Sequence, residues 1–345
     1  MGLFSEINEQ PQVLETLLKD QRKNILEIAK MVRLRNPRYV FLAARGTSDN
    51  AGRFANYLWG AHNQLPLALA APSLFTYYKQ PPNLKDALVV GISQSGMSPD
   101  IVSVLEEGKR QGSMTLAITN EPNAPLSHAA DAVINICAGT ERAVAATKTY
   151  SAELMAVAML SAGLSADNSQ WDVLEKVPGW AAEVLEEQGR IAIDAQRYTF
   201  MRQCVVLARG YNYATAFEWS LKLKELTYTI AEPYSTADFM HGPIAMMESN
   251  FPVLVVAPQG KVFPNLLETL QLLRREYKVE LVVISNQQEA LDLANSAIRI
   301  PQVIPEWLSP IISIIPAQIF AYYLTLAKGH DTDRPRSIHK ITETL

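Results

Sequence analysis

The chain has little cysteine and no surplus of positive charge. Only two cysteines occur among 345 residues, Cys137 and Cys204, so disulfide bonds cannot form a framework for the fold. One follows a β-branched run and the other lies inside one, which predicts buried thiols in strands rather than catalytic or metal-binding groups. Lys and Arg number 31 against 35 Asp and Glu, and they do not cluster. A nucleic-acid-binding face is therefore not expected, and an anionic ligand would need a local site.

The sequence also predicts neither a targeting segment nor a membrane-spanning segment. The first residues show no basic segment followed by an apolar stretch, so no signal peptide is predicted. The longest apolar-rich stretch, residues 311–327, contains Ser, Pro, Gln, Tyr and Thr, and we predict that it does not span a membrane. We therefore expect a cytoplasmic protein without membrane partners.

What the chain does contain is an internal repeat. A strand-like segment that ends in a Gly turn, residues 39–46, recurs at residues 204–210. Three more segments, at 88–91, 116–120 and 132–134, recur at 254–257, 282–286 and 297–299, with spacings of 164 to 166 residues throughout. A nearly constant spacing over four segments indicates duplication of one unit. Nearly half of the residues, 48%, are hydrophobic, which is enough for two cores.

The repeated segments predict an α/β fold. They are short, β-branched and apolar on both faces, as parallel strands covered by helices are. Helical patterns at 101–110 and 266–277 lie between them, which predicts two tandem, doubly wound, flavodoxin-like parallel-sheet subdomains. The predicted divisions are a helical segment at 1–36, the first subdomain at 37–166, a helical connector at 167–196 broken at Pro178 and Gly179, the second subdomain at 197–330 and a C-terminal tail at 331–345.

A serine-rich loop follows the strand predicted at 87–92. Its polar members are Ser93, Gln94, Ser95 and Ser98, and Ser98 is the expected N-cap of a helix with Pro99 at its first position. Hydroxyls, backbone N–H groups and a helix N-terminus at the carboxyl end of a parallel strand form a cradle for an anion. The other interpretation is an ordinary serine-rich turn.

The second copy lacks these hydroxyls. Gln259, Lys261 and Pro264 stand where the first copy has its serines, which favours a ligand site in the first copy only. Gly46, Thr47 and Ser48 follow the neighbouring strand and add two more hydroxyls. Residues 143–148, including Val144 and Ala146, are small, which allows either close approach of a ligand or tight helix packing. Neither the G-x-G-x-x-G nor the G-x-x-x-x-G-K-[ST] spacing occurs, so a small phosphorylated metabolite is favoured over NAD or ATP, and no cofactor is predicted.

Candidate acid–base groups lie in the second half. A helix predicted at 215–230 has an apolar stripe (Trp219, Leu223, Leu226, Ile230) and a charged stripe (Glu218, Lys222, Glu225). The charged stripe is either a solvated, helix-stabilising face or an acid–base cluster. His241, before a Gly-Pro turn, is either structural or an acid–base group near neutral pH. Lys340 lies in a polar tail, where side chains are usually disordered.

Together these motifs resemble the SIS (sugar isomerase) family along nearly the whole chain. The similarity is to SIS-type glucosamine-6-phosphate deaminases and to the isomerase half of glucosamine-6-phosphate synthase. The segments that carry it are 46–48, 93–96, 144–148, 221–225, 241–243, and 333–336 with Lys340.

The resemblance implies roles for individual residues. Glu225 matches the base that moves a proton between C1 and C2, His241 the group that assists ring opening, and Lys340 the lysine that forms a Schiff base with a keto sugar. Glu218 and Lys222 match supporting residues. The residues implied to bind the sugar phosphate are Gly46, Thr47, Ser48, Ser93, Gln94, Ser95, Ser98, Val144 and Ala146. The resemblance also implies a homodimer, with the active site completed at the subunit interface.

Departures from the synthase pattern favour the deaminase type. Residue 2 is Gly where a nucleophilic cysteine would open a glutaminase domain, and the serine loop continues Met97-Ser98-Pro99. Ala146 replaces a serine of the synthase. The leading hypothesis is conversion of glucosamine 6-phosphate and water to fructose 6-phosphate and ammonia, with no metal. The alternatives are a fructosamine-6-phosphate deglycase, a galactosamine-6-phosphate deaminase/isomerase, a synthase-like isomerase without its glutaminase, and a non-catalytic sugar-phosphate sensor.

Overall fold

Two five-stranded parallel sheets organise the part of the chain that the computed structural model describes, residues 2–165, 167–338 and 340. The strands are β1 (Tyr39–Ala43), β2 (Leu67–Leu69), β3 (Ala87–Ile92), β4 (Met114–Thr119), β5 (Ala132–Asn135), β6 (Gln203–Ala208), β7 (Ile230–Ser235), β8 (Pro252–Val256), β9 (Glu280–Ser285) and β10 (Ser296–Arg299).

Helices connect and cover the strands. They are α1 (Leu3–Asn8), α2 (Gln10–Arg35), α3 (Gly46–Asn63), α4 (Ser73–Thr76), α5 (Pro99–Arg110), α6 (Pro125–Ala129), α7 (Lys148–Ser165), α8 (Asn168–Leu174), α9 (Val177–Glu186), α10 (Gln188–Gln196), α11 (Tyr213–Lys222), α12 (Thr236–Met240), α13 (Phe263–Leu272), α14 (Gln288–Leu291) and α15 (Ser309–Ala327). Short 3₁₀ turns occur at Gly210–Asn212, Pro243–Met246 and Glu306–Leu308, and π-helical turns at Leu223–Thr227 and Leu273–Tyr277.

The two sheets have the same topology. The strand order is β2-β1-β3-β4-β5 in one and β7-β6-β8-β9-β10 in the other, and every neighbouring pair is parallel. Each strand of the first sheet therefore has its counterpart at the same place in the second. This confirms the predicted duplication and the α/β class with two tandem doubly wound sheets.

Two compact units interleave along the sequence. The first-sheet unit contains residues 10–141, 148–176 and Lys340, and the second-sheet unit contains residues 2–9, 142–147 and 177–338. In each unit the central strands are buried on both faces, as in β3 and β8, where every residue is buried. The β-branched, apolar composition of these strands follows from that position between two helical layers. The predicted domain limits stay a prediction.

The helix predicted at 215–230 is confirmed as far as Thr227 and is wrong in its last three residues. The α-helix α11 ends at Lys222, the chain continues as a π-helical turn to Thr227, and Tyr228 takes a left-handed conformation with φ 55°. Ile230 instead begins β7 and is 63% exposed, so the apolar stripe ends at Leu226. Helical spacing alone could not indicate this ending, because the exposed edge residue Ile230 falls in register with the stripe by coincidence.

The connector is helical, as predicted, but its break lies elsewhere. Pro178 and Gly179 lie in the first turn of α9, where the missing N–H of proline has no helical partner to lose. The interruption comes before α9, since α8 ends at Leu174.

One helix segment within the described residues, Glu306–Ala327, is long and apolar enough to cross a membrane by those two measures, with a mean hydropathy of 1.5. Length and composition by themselves therefore do not exclude a membrane span for this stretch. Its most apolar window is 78% buried inside the protein, because α15 packs against α9, α10 and α11 as a core helix.

The two thiols differ. Cys204 is buried in β6, and burial raises its pKa to about 12, which fits an inert core thiol. Cys137 is not in a strand, contrary to the prediction. It lies half-buried beyond β5 with φ 52°, in a turn where Asn135 Oδ1 accepts its backbone N–H at 2.9 Å.

Candidate functional site

Two loops of the first-sheet unit begin at adjacent strand ends. Strands β1 and β3 are paired, with Ala43 opposite Gly91, and the strand order reverses between them. Ligands of doubly wound sheets bind at this reversal, outside the carboxyl ends of the strands. The segments 46–48 and 93–98 follow these two ends, so the structure brings together the hydroxyl-bearing segments that the sequence indicated.

The serine loop is a tight turn that uses its own hydroxyls. Ser93 is buried and its Oγ accepts the backbone N–H of Gly96 at 3.2 Å, while Ser95 Oγ accepts that of Met97 at 3.3 Å. Gly96 has φ 62°, and a Cβ there would lie 2.6 Å from Ala124 Cβ. Only glycine fits this position without displacing the loop.

The loop leads into α5 as predicted, with Ser98 at the N-cap and Pro99 in the first turn. The hydroxyl of Ser98 makes no capping hydrogen bond among the described residues. Asp100 Oδ1 instead accepts its neighbour's N–H, from Ile101, at 2.9 Å. Gln94, Ser95 and Ser98 are half-buried and border the loop surface.

An ion pair between the exposed Arg45 and the buried Asp100 joins the segments that follow the two strands. Arg45 Nε lies 2.8 Å from Asp100 Oδ2, and the Asp100 side chain is fully buried. Gly46 is exposed and Thr47 half-buried at the start of α3, whereas the Ser48 hydroxyl donates to Glu153 Oε1 at 2.8 Å. Neither Asp100 nor Glu153 was predicted from the sequence. A charged residue directly after an apolar strand, as Arg45 is, was the available signal that a buried counter-ion exists.

The corresponding loop of the second-sheet unit already holds a carboxylate. Glu306 Oε2 accepts the backbone N–H of Lys261 at 2.9 Å, and its Oε1 accepts that of Val262 at 3.4 Å. A Cβ on Gly260 would lie 2.1 Å from Glu306 Cδ, so glycine permits this close approach. The first copy has a serine loop at this position. In the second copy, the backbone N–H groups of the loop donate to a glutamate of the same unit.

The charged stripe of α11 is buried, not solvated. Lys222 Nζ lies 3.3 Å from Glu218 Oε1 and 2.6 Å from Glu225 Oε2. The side chains of Glu218 and Lys222 are 0% and 1% exposed, and that of Glu225 is 23% exposed. Burial lowers the pKa of Lys222, but the two carboxylates outweigh it and hold that pKa well above its usual range. A fixed ammonium therefore positions one partly accessible carboxylate.

His241 stands apart from this network. It follows the last residue of α12, is exposed, and its backbone N–H donates to Asp238 O at 3.1 Å. Its ring makes no hydrogen bond or ion pair among the residues described.

The small-residue segment 142–147 is anchored by a buried glutamate of α1. Glu6 is 1% exposed, and its carboxylate accepts the backbone N–H of Ala143 at 3.1 Å and that of Arg142. Val144 and Ala146 are half-buried. The hydrogen bonds to Glu6 fix the backbone directly before Val144.

The described part of the tail is ordered by specific contacts. Asp333 accepts the backbone N–H of Leu3 at 2.8 Å, and the Arg336 guanidinium lies 4.0 Å from the ring centre of Tyr228. Lys340 Nζ lies 2.6 Å from Glu141 Oε2, within the first-sheet unit. His339 and residues 341–345 lie outside the described residues, and closure of the tail over the site stays a prediction.

The predicted site residues thus divide by unit. The first-sheet unit contains Gly46, Thr47, Ser48, Ser93, Gln94, Ser95, Ser98 and Lys340, and the second-sheet unit contains Val144, Ala146, Glu218, Lys222, Glu225 and His241. In the described chain, no three His, Cys, Asp or Glu side chains are grouped as a metal ion would require.

Known proteins resemble this chain over almost its full length. The SIS domain family model matches residues 33–162 and 201–328. The glutamine–fructose-6-phosphate aminotransferase [isomerizing] of Aquifex aeolicus is 33% identical over 98% of this chain, which covers 57% of that relative. The chain therefore spans little more than half the length of that relative.

Solved structures agree in fold. The C-terminal domain of glucosamine-fructose-6-phosphate aminotransferase from Francisella tularensis has a TM-score of 0.84 at 25% identity, covering 96% of this chain and 98% of its own. A protein of Silicibacter pomeroyi DSS-3, provisionally assigned as a phosphosugar isomerase, has a TM-score of 0.82 at 30% identity, covering 96% of this chain and 99% of its own.

Proposed function

This chain belongs to the SIS domain family, and from that premise we propose that it is an enzyme that interconverts phosphorylated amino and keto sugars. The specific reaction we propose is conversion of glucosamine 6-phosphate and water to fructose 6-phosphate and ammonia. The names of the relatives, which couple amino transfer to isomerisation of a fructose phosphate, support this substrate class.

One observation carries the proposal: Glu225 is a partly exposed carboxylate held by a buried lysine. Aldose–ketose conversion needs one base that removes a proton from C2 and returns it to C1. The Lys222 ammonium lies 2.6 Å from the Glu225 carboxylate and holds it in place. The buried carboxylate of Glu218 contacts the same ammonium and holds it in turn. A protein that only senses a sugar phosphate would need the serine loop but no such buried charge network, which is costly to assemble.

The other residues have roles in the same scheme. The serine loop, with Thr47 and Ser48, would hold the phosphate, and His241 would protonate the ring oxygen as the hemiacetal opens. Proton transfer from C2 to C1 of the open sugar turns the C2 amine into an imine. Water adds at C2 and ammonia leaves, which yields the ketone. Val144 and Ala146 would let the sugar approach the backbone.

In the reverse direction, and during exchange with keto sugars, Lys340 would form an imine with the C2 carbonyl, because an iminium is a better electron sink than a ketone. We further propose a homodimer, a cytoplasmic location and an active site completed at the subunit interface, with His241 supplied by the partner.

The test is to incubate the purified protein with glucosamine 6-phosphate and to follow ammonia and fructose 6-phosphate together. Equal amounts of both products are expected, and the Glu225→Gln variant serves as the matched control. The same assay with galactosamine 6-phosphate defines the epimer. Release of an amino acid from a fructosamine 6-phosphate, without turnover of either amino sugar, would replace the deaminase by the deglycase; inertness towards all three would favour the sensor.

A further inference from the structure

Glu141 is a fully buried carboxylate outside every role assigned so far. It stands in the first-sheet unit, seven residues before α7, and its side chain is 0% exposed. Both of its oxygens have hydrogen-bonding partners. Oε2 lies 2.6 Å from Lys340 Nζ and accepts the Thr149 hydroxyl at 2.8 Å, and Oε1 accepts the Thr149 backbone N–H at 3.2 Å.

The Thr149 contacts alone would make Glu141 a helix cap. The N–H of Thr149 belongs to the first turn of α7, where backbone donors lack partners inside the helix and a negative charge is favourable. A cap accounts for one face of the carboxylate. It does not account for Lys340, which comes from a point 199 residues further along the chain and is 77% covered at its side chain.

An ion pair of this kind controls the reactivity of the lysine amine. As long as Glu141 binds it, the Lys340 amine is a charged ammonium without a free electron pair, and it cannot attack a carbonyl. Because Glu141 Oε2 lies 2.6 Å from the Lys340 amine, this carboxylate is placed to accept the proton that the amine must lose before it can attack.

We propose that Glu141 is the positioning residue of Lys340, which holds its amine in the ligand-free enzyme and takes up its proton when a ketose phosphate arrives. The proposal rests on the proposed function, in which Lys340 condenses with the sugar. Proton transfer gives a neutral amine and a protonated Glu141. The amine adds to the C2 carbonyl, and the carbinolamine hydroxyl takes the proton back from Glu141 and departs as water. The iminium on Lys340 and the Glu141 carboxylate remain, so charge and atoms balance.

The first test traps the Schiff base. The full chain is incubated with fructose 6-phosphate and sodium borohydride, and the reduced adduct on Lys340 is followed by mass spectrometry. We expect Glu141→Gln to slow trapping about tenfold or more, with a much smaller change in KM, and Glu141→Asp to recover part of the rate. Thr149→Val is the matched control, because it removes one donor to the same carboxylate and leaves the lysine contact; it should be trapped at the wild-type rate.

The second test requires no turnover. Acetylation of Lys340 by acetic anhydride, without sugar, should be several-fold faster in Glu141→Gln than in the wild type and unchanged in Thr149→Val. Equal acetylation in all three proteins would overturn the holding role. Equal slowing of trapping in Glu141→Gln and Thr149→Val would reduce Glu141 to a helix cap. Conversion of glucosamine 6-phosphate without any adduct on Lys340 would refute the proton transfer and leave the proposed function standing. If the wild-type protein converts no sugar but Lys340 is acetylated faster in Glu141→Gln, the proposed function fails and the holding role of Glu141 stands.

Discussion

At the scale of single residues, the buried Lys222 is the most informative side chain. Its pKa is raised by two carboxylates that outweigh its burial. Since the folded-state pKa exceeds the unfolded one, the stability that this lysine contributes is complete below its unfolded pKa, about 10.4, and is lost as the pH rises through the folded value. Throughout the neutral range Lys222 is therefore charged in the folded protein.

Replacing Lys222 by Met should destabilise the protein strongly. Glu218 would be left as a buried charge without its ammonium, at a cost of about 3–5 kcal/mol in the free energy of unfolding. The deficit should shrink as the pH is lowered, because protonation of Glu218 would remove the buried negative charge that Lys222 no longer faces. Urea unfolding at several pH values measures both effects, and Glu218→Gln in the same variant should restore part of the loss. A Lys222→Met protein as stable as the wild type would show that the network is not coupled.

Glu225→Gln separates chemistry from binding. The amide keeps the size of the carboxylate but cannot accept the C2 proton, so turnover should fall at least about 10³-fold while binding of fructose 6-phosphate stays within a few-fold. Steady-state kinetics and calorimetric titration with fructose 6-phosphate give the two numbers. Activity near that of the wild type would remove Glu225 as the proton shuttle.

At the scale of elements, the sequence predicts the central strands and the edge strands β5 and β10, but it misses the other two edge strands, β2 and β7. The central strands were found because their residues are β-branched and apolar throughout. Strand β2 was missed because it has only three residues, and β7 because it is an edge strand that contains Pro233 and alternates in burial. The π-helical turn after α11 has no sequence signature at all, and it displaced the predicted helix end.

The candidate site divides in the same way. The serine loop was predictable because hydroxyls, a proline and a glycine between a strand and a helix form a local pattern. The sequence could not indicate the buried acids Asp100, Glu141 and Glu153. An acidic residue that is buried against a partner distant in the sequence cannot be distinguished from a surface acid by its residue type. Glu218 and Lys222 were identified by resemblance, and their burial became visible only in three dimensions.

The backbone of the serine loop can be tested with one methyl group. Gly96→Ala combines a left-handed φ with a contact of 2.6 Å to Ala124 Cβ, so the loop must shift and KM for phosphorylated sugars should rise about tenfold or more. Gly112→Ala is the comparison: this residue also has positive φ, 82°, but its Cβ would meet nothing within 4 Å, and only the backbone strain of about 1 kcal/mol remains. Equal effects of the two substitutions on KM would place the phosphate elsewhere.

At the scale of the whole molecule, the predicted dimer and the exposed His241 lead to a complementation experiment. Neither Glu225→Gln nor His241→Ala should be active alone. If His241 acts in the partner's site, a mixed dimer contains one doubly altered site and one intact site. After subunit exchange, random pairing should restore about a quarter of the wild-type activity. Mass photometry confirms the dimer. A mixture that stays inactive would place both residues in the site of one chain.

The duplicated sheets should also respond differently to ligand. Fructose 6-phosphate at a saturating concentration should slow amide hydrogen exchange in residues 93–101, because it stabilises the bound form of that loop. Residues 259–265 should exchange at the same rate with and without sugar, since Glu306 already accepts two of their N–H groups. Protection of both loops would indicate a second binding site; protection of neither would move the first.

The glutamate in the second loop has a consequence for how the two halves evolve. A carboxylate encoded in the chain is present at a fixed, very high local concentration, whereas a metabolite comes and goes. These two amides of the second loop therefore need no diffusing anion as their acceptor. Under the proposed function, recognition of the sugar phosphate would constrain the sequence of the first loop, whereas the second loop would be constrained by its fit to Glu306.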